Sequence, residues 1–198
     1  MTTIYLIRHG DKELGKANPS LTSEGRHKAV LTGEYLKNKK VKMIFASPME
    51  RTQQTAEIIG SHLHIPVVLD ERLVERMEFE IEKGESFNEF LEEWEKTALD
   101  RHYQPIYGDS AFNSGKRIAE LIAEVVKENN DATIVMVSHG GAIGDVLQNL
   151  FDQHALTFQS DRKVKYIKIA ECSLTTLVED KGEYRLTQFA SVDHLTIK

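Results

Sequence analysis

Apolar and polar positions along the chain fall into blocks of two kinds. Ile4-Tyr5-Leu6-Ile7 is continuously apolar, as a strand buried on both faces requires, and it stops abruptly at Arg8-His9-Gly10. After a polar loop over residues 11–20, Ala29, Val30, Gly33 and Leu36 recur at helical spacing, so a helix is expected from near Thr22. Lys37, Lys39 and Lys40 gather at its end, where the helix dipole favours cations; a solvated terminus explains them better than a binding patch. Val41–Ala46 reads as a second short strand centred on Met43-Ile44-Phe45. Ser47, Pro48 and Glu50 then form a helix-start signature, with Ser47 as cap, Pro48 at the first helical position and Glu50 three residues after the cap. That signature pins Arg51 in the first turn, beside free backbone N–H groups that favour an anion. Residues 65–69 form a third expected strand.

From residue 75 to 95 the chain is strongly acidic, yet Phe87, Phe90, Leu91, Trp94 and Ala98 keep a helical apolar stripe. Residues 76–107 are therefore expected to form an inserted helical lid packed by that stripe. Its acidic face is most simply solvated, with selection of a cationic substrate as the alternative. Gly108-Asp109-Ser110 opens a further helix that buries Ile118, Leu121, Ile122, Val125 and Val126 and ends at Asn129-Asn130-Asp131. Residues 133–137 are the plainest buried strand in the sequence, and they run into Ser138-His139-Gly140-Gly141. The arrangement of the first strand thus recurs: apolar run, histidine, glycine. A helix over about residues 142–151 turns Ile143, Val146, Leu147 and Leu150 inward. Residues 164–178 and 183–190 read as two strands, joined in a hairpin through Glu179-Asp180-Lys181-Gly182.

Strands alternating with helices imply an α/β fold around a mostly parallel sheet, and the absence of a linker or repeat implies one domain spanning residues 1–198. Ligands of open parallel sheets bind beyond the carboxyl ends of the strands, which is where Arg8, His9 and His139 fall. Composition narrows the choice of ligand. A net charge of −6 argues against a nucleic-acid surface, and no run is long enough to enter a membrane. The N-terminal residues lack the pattern of a signal peptide, so a cytoplasmic protein is expected. Cys172, the one cysteine, excludes an internal disulfide and reads as a core thiol rather than a nucleophile. His62 and His64 read as loop residues rather than as a metal-ligand pair. A local cluster of cations in an acidic chain calls for an anionic ligand, and arginine forks match phosphoryl oxygens in bidentate geometry.

These segments together carry a resemblance. The chain resembles the histidine phosphatase superfamily, in its phosphoglycerate mutase-like branch and of the broad-specificity phosphatase type. The resemblance rests on Leu6-Ile7-Arg8-His9-Gly10, Leu21-Thr22 with Gly25, Ser47-Pro48 through Arg51-Thr52, and Gln54-Thr55-Ala56. It continues with Leu73 and Glu75, Gly108-Asp109-Ser110 with Arg117, Ser138-His139-Gly140-Gly141 and the terminal Asp193-His194-Leu195. It implies a three-layer α/β/α sandwich and a phosphohistidine mechanism with His9 as nucleophile. Arg8, Arg51, His139 and Gly140 would then bind the phosphoryl group, with Glu75 as general acid and base; Glu78 and Glu80 stay open as alternatives to Glu75. No metal or other cofactor is implied.

Mutase members carry a threonine or serine and then an asparagine soon after the Arg-His-Gly; Asp11, Lys12 and Gly15 stand at or near those places here. The expected function is therefore a metal-independent phosphomonoester phosphatase acting on a small phosphorylated metabolite. Lys12 and Asn18 are candidate substrate contacts from the loop. The alternatives are a phosphoglycerate mutase and a non-catalytic phosphate-binding or scaffold protein. Neither a nucleic acid nor a membrane is an expected partner, and pairing of hairpin edges into a homodimer is one arrangement that the pattern allows.

Overall fold

A computed structural model describes residues 1–14, 18–79, 83–151 and 169–196. Six strands form a single sheet: β1 (Thr2–Arg8), β2 (Val41–Ala46), β3 (Val67–Leu69), β4 (Thr133–Ser138), β5 (Leu174–Asp180) and β6 (Glu183–Ser191). Their order across the sheet is β3-β2-β4-β1-β5-β6. The four strands from β3 to β1 run parallel, while β5 and β6 are antiparallel to their neighbours. The third strand begins two residues later than the sequence pattern predicts. The predicted strand over residues 164–178 is corrected in part: residues 164–168 lie outside the described residues, residues 169–173 are not strand, and β5 begins at Leu174. The hairpin is as expected, and Lys181 and Gly182 take the positive φ values, 54° and 89°, of a tight turn.

The alternation of side chains along the central strands builds two cores. Ile4, Leu6, Ile134 and Met136 point to one face, where they meet α4 (Ala111–Glu128) and α5 (Gly140–Leu150) through Ile118, Ile122, Ile143 and Val146. Tyr5, Ile7, Val135 and Val137 point to the other. There α1 (Ser23–Leu36) and α2 (Glu50–Leu63) cover them with Leu36, Ala56 and Ile59. The result is the expected three-layer α/β/α arrangement, with a continuously apolar strand paired on both edges and covered on both faces.

The helix starts show which sequence signals were decisive. Thr22 caps α1 by accepting the amide of Gly25 (3.0 Å), and Ser110 caps α4 by accepting that of Asn113 (3.2 Å). Helix α3 (Phe87–Leu99) opens with a complete capping box between Ser86 and Glu89. Its buried residues are Glu93 and Thr97, not the predicted apolar stripe: Phe87 and Leu91 are exposed. Glu93 can be buried because Lys96, the Tyr103 hydroxyl and the Ile106 amide all donate to its carboxylate. The stripe packs on itself instead, with the Phe90 ring 6.2 Å from Phe87 and 5.9 Å from Trp94.

Candidate active site

The tips of β1 and β4 lie side by side, with Arg8 in register with Ser138. The His9 amide donates to the Ser138 carbonyl (3.0 Å), and the Gly10 amide donates to Thr55 Oγ1 (3.0 Å) on α2. On the opposite side the Cys172 amide donates to the Arg8 carbonyl (3.0 Å). The tip is therefore fixed from three directions. A side chain is not tolerated at residue 10, because a Cβ there would lie 2.6 Å from the Gly25 carbonyl oxygen. The two glycines of separate motifs are thus two sides of one close contact between the loop after β1 and α1.

His9 is buried, and its Nδ1 lies 2.7 Å from the Gly10 carbonyl oxygen. A carbonyl oxygen can only accept, so Nδ1 carries the proton and Nε2 keeps its lone pair. Burial, and then the cation of Arg51 ahead of those of Arg8 and Lys12, hold the imidazole well below the ordinary histidine range, and it is neutral at pH 7.

His139 caps α5 at the equivalent point of β4, with its ring centroid 5.3 Å from that of His9 and the planes at 64°. Arg51 Nη2 donates to its Nδ1 (3.0 Å), so Nε2 carries the proton and donates to Ser47 Oγ (2.9 Å). Burial, followed by Arg51 and His9, keeps His139 well below its ordinary range too.

Arg51 is 2% exposed, and its Nε and Nη1 have no hydrogen-bond partner among the described residues. Arg8 donates through Nη1 to the Ile169 carbonyl (2.6 Å) and pairs through Nη2 with Glu171 (2.6 Å), but its buried Nε is likewise without a partner among them. Gly140 lies against this guanidinium, a Cβ there falling 3.4 Å from Arg8 Nε. Buried guanidinium donors beside a neutral imidazole suit an anion with several acceptor oxygens.

Glu75 leaves the short helical turn Glu71–Leu73, which is tied down at several points. Ser138 Oγ donates to the Leu73 carbonyl (2.7 Å), and Arg117 donates to the carbonyls of Arg72 (2.5 Å) and Glu75 (3.3 Å). The two Glu75 oxygens accept from the backbone amides of Arg76 (2.9 Å) and Gly141 (3.0 Å). Gly141 stands in the first turn of α5, so this carboxylate sits at a helix N-terminus, where negative charge is favoured. Behind it, Arg76 makes a buried ion pair with Asp145 of α5 (2.8 Å) and stacks on Trp94, 3.9 Å from the ring centroid.

The structure brings His9, His139 and Arg51 together, with Arg8 and Gly140 packed beside them and Glu75 held against the first turn of α5. Glu78 hydrogen-bonds to Arg51 Nη2, and Glu80 lies outside the described residues, as does Gly15. Burial raises the Glu78 carboxyl above the usual carboxylate range, with Glu75 adding to the rise and Arg51 opposing it. The ammonium of Lys12 is held below the ordinary lysine range, first by its surroundings and then by Arg51.

Two sequence readings are corrected. Ser47 is not the cap of α2: the helix begins at Glu50, and Ser47 Oγ is the partner of His139. The amide of Glu50 is instead accepted by Asn18 Oδ1 (2.9 Å), so Asn18 serves as a cap donated by a neighbouring loop. His62 lies within α2 rather than in a loop, and its Nδ1 is engaged with the Ile58 carbonyl. Cys172 is a core thiol as expected, fully buried and pushed by burial up to about 12. Two features had no sequence signal: the pairing of Arg8 with Glu171, and the Arg76–Asp145 pair, whose members lie 69 residues apart.

The sequence profile described as the histidine phosphatase superfamily (branch 1) matches residues 4–191. The uncharacterized phosphatase PhoE of Bacillus subtilis is 26% identical over 203 residues, covering 99% of this chain and 98% of its own. The probable phosphoglycerate mutase GpmB of Erwinia tasmaniensis is 26% identical over 186 residues, covering 88% of this chain and 84% of its own. Among solved structures, a phosphoserine phosphatase from Entamoeba histolytica in complex with phosphoserine superposes with a TM-score of 0.74 at 25% identity, over 98% of this chain and 100% of that one.

Proposed function

The chain belongs to the histidine phosphatase superfamily (branch 1), and from that premise we propose that it is a phosphomonoester phosphatase working through a phosphohistidine. The observation that carries the reading is the neutral imidazole of His9, whose Nδ1 carries the proton so that Nε2 keeps its lone pair, beside donors of Arg51 and Arg8 that have no partner among the described residues. Binding of phosphate alone would not require a nucleophile in a fixed tautomer.

In the proposed reaction Arg8, Arg51 and the amide end of Gly140 receive the phosphoryl oxygens. His9 Nε2 attacks phosphorus, the ester P–O bond breaks, and the leaving oxygen takes a proton from Glu75. Water then attacks the phosphohistidine, Glu75 accepts the proton of that water, and inorganic phosphate leaves with His9 neutral again. The arginines and His139 stabilise the charge that spreads over the transferring group. Lys12 is a proposed substrate contact; Asn18 is one only through its side-chain amide, since its oxygen already caps α2. Residues 76–107 are the proposed lid over the leaving group, within one domain spanning the chain.

Relatives named as probable phosphoglycerate mutases support a second reading, transfer of the phosphoryl group back to a second hydroxyl rather than to water. Purified protein should hydrolyse an aryl phosphate in the presence of a chelator, and His9→Ala should not. Transfer between the two monophosphoglycerates that outruns release of phosphate would favour the mutase.

A further inference from the structure

One motif of the sequence, Gln54-Thr55-Ala56, has no part in the proposed reaction, yet two of its side chains hold the loop that follows β1. The loop leaves the sheet at Gly10 and returns to α1 through Leu21, and both amides are taken by α2: that of Gly10 by Thr55 Oγ1 (3.0 Å), that of Leu21 by Gln54 Oε1 (2.9 Å). Both ends of the loop are thus fixed to consecutive residues of one helix.

Thr55 is fully buried. Its hydroxyl donates to the Arg51 carbonyl one turn earlier (2.7 Å), so its single proton is spent and the oxygen can only accept from Gly10. Arg51 and Thr55, four residues apart, share one face of α2. Arg51 brings the donors Nε and Nη1, which have no partner among the described residues, and Thr55 fixes the peptide that joins His9 to Gly10. The carbonyl of Gly10 in turn accepts the His9 Nδ1 proton (2.7 Å). One helix face therefore both supplies the cation and holds the imidazole beside it. Without the hydroxyl the buried Gly10 amide is left unsatisfied, and the peptide is free to turn toward another acceptor, taking the Gly10 carbonyl and the His9 ring with it.

Resting on the hydrolase reading, we infer that Thr55 is a positioning residue for the phosphoryl-transfer step: its hydroxyl sets the His9 imidazole, in tautomer and in direction, against the phosphoryl group that Arg51 receives. It acts through Gly10 and touches no substrate atom.

Thr55→Val keeps the shape of the side chain and removes the hydroxyl, whereas Thr55→Ser keeps the hydroxyl and removes a methyl group. In Thr55→Val, kcat for an aryl phosphate and the rate of phosphohistidine formation should fall by about 10- to 100-fold, the order that a misplaced reacting group costs. The inhibition constant of inorganic phosphate should stay within about threefold, because the donors of Arg8 and Arg51 remain. Thr55→Ser should keep kcat within about threefold of the wild type. Nitrogen NMR signals of the His9 ring give a readout without turnover: Nδ1 protonated in the wild type and in Thr55→Ser, and a mixture of both tautomers in Thr55→Val. All variants are compared at a temperature where urea melts show them folded. If Thr55→Val does not fold, Thr55→Ala takes its place against Thr55→Ser, the two differing only in the hydroxyl. Equal losses of kcat and phosphate affinity in Thr55→Val, or a Thr55→Ser no more active than Thr55→Val, overturns the inference. If the wild type hydrolyses aryl phosphate and Thr55→Val does so equally well with its tautomer intact, positioning fails and the hydrolase reading stands. If no ester is turned over and no phosphohistidine forms, but the tautomer is lost in Thr55→Val and kept in Thr55→Ser, positioning of the ring stands and the hydrolase reading fails.

Discussion

The Nδ1 of His9 lies 2.7 Å from the carbonyl oxygen of its own chain neighbour, Gly10, so the backbone that turns the chain out of the sheet also chooses the tautomer of this imidazole, the proposed nucleophile. Because the imidazole is held well below its ordinary range, kcat/KM for an aryl phosphate should show no loss at pH 6.5 from protonation of His9. His9→Ala should lower kcat by at least about 10³-fold, as removal of a nucleophile does. An acid-labile phosphohistidine trapped by rapid quench in the wild type, and missing from the variant, checks the assignment.

The same burial makes a prediction for stability. The unfolded chain binds a proton at His9 below about pH 6.5, whereas the folded protein refuses it, so folding stability falls as pH drops below that value. The contribution is about 1.4 kcal/mol per pH unit until the folded-state value is reached. Urea melts of wild type and His9→Ala at pH 7.5, 6.0 and 5.0 should show a shallower loss on acidification in the variant. Parallel pH dependence in the two proteins would contradict it.

Gly141 is the tightest point around Glu75. A Cβ there would fall 2.5 Å from Glu75 Oε1 and 2.8 Å from the Trp94 ring. Gly141→Ala should push the carboxylate out of line and reduce kcat by about 10- to 100-fold, since misplacement by an ångström costs rates of that order. Inhibition by inorganic phosphate should change little, because the atoms nearest a Cβ there belong to Glu75 and Trp94 rather than to Arg8 or Arg51. A comparable loss in phosphate affinity would show that the variant disturbs the whole pocket.

Arg76 and Asp145 form a buried ion pair, in which Asp145 Oδ2 and Arg76 Nε lack hydrogen-bond partners among the described residues. Burial, against the opposing charge of Arg76, pushes the Asp145 carboxyl up to about 7. Asp145→Ala leaves a buried arginine alone and should cost about 3–5 kcal/mol of stability. The pair ties the Arg76 amide to α5, and with Gly141 on the same helix it fixes both donors to Glu75. Asp145→Asn should therefore lower kcat more than it raises KM, with circular dichroism unchanged.

How much of this could be read from the sequence depended on whether the cause was local. Strands β1 and β4 and the tip residues His9 and His139 were legible because a buried run ending in His-Gly states its own geometry. The caps Thr22 and Ser110 were legible because their partner is three residues away. Ser47 was misread because its local signature is that of a helix cap, while a histidine 92 positions along the chain takes its hydroxyl. The apolar stripe of α3 was visible but its burial was not: whether a helix face meets the core or a neighbouring ring is decided by tertiary packing. Glu171 and Asp145 gave no sign, since a lone carboxylate acquires meaning only from a cation that the fold brings to it.

The order of the sheet sets a condition on how the protein is made. The first strand lies in the middle of the sheet, with β4 on one side and β5 on the other, and β2 also depends on β4. During synthesis the first strand stays without either partner until the ribosome has added some 130 further residues, which takes on the order of 10 s at typical elongation rates. The His9–His139 site therefore cannot assemble on a nascent chain until β4 has been made. The apolar run that names the first strand is the segment most in need of protection from aggregation while it waits.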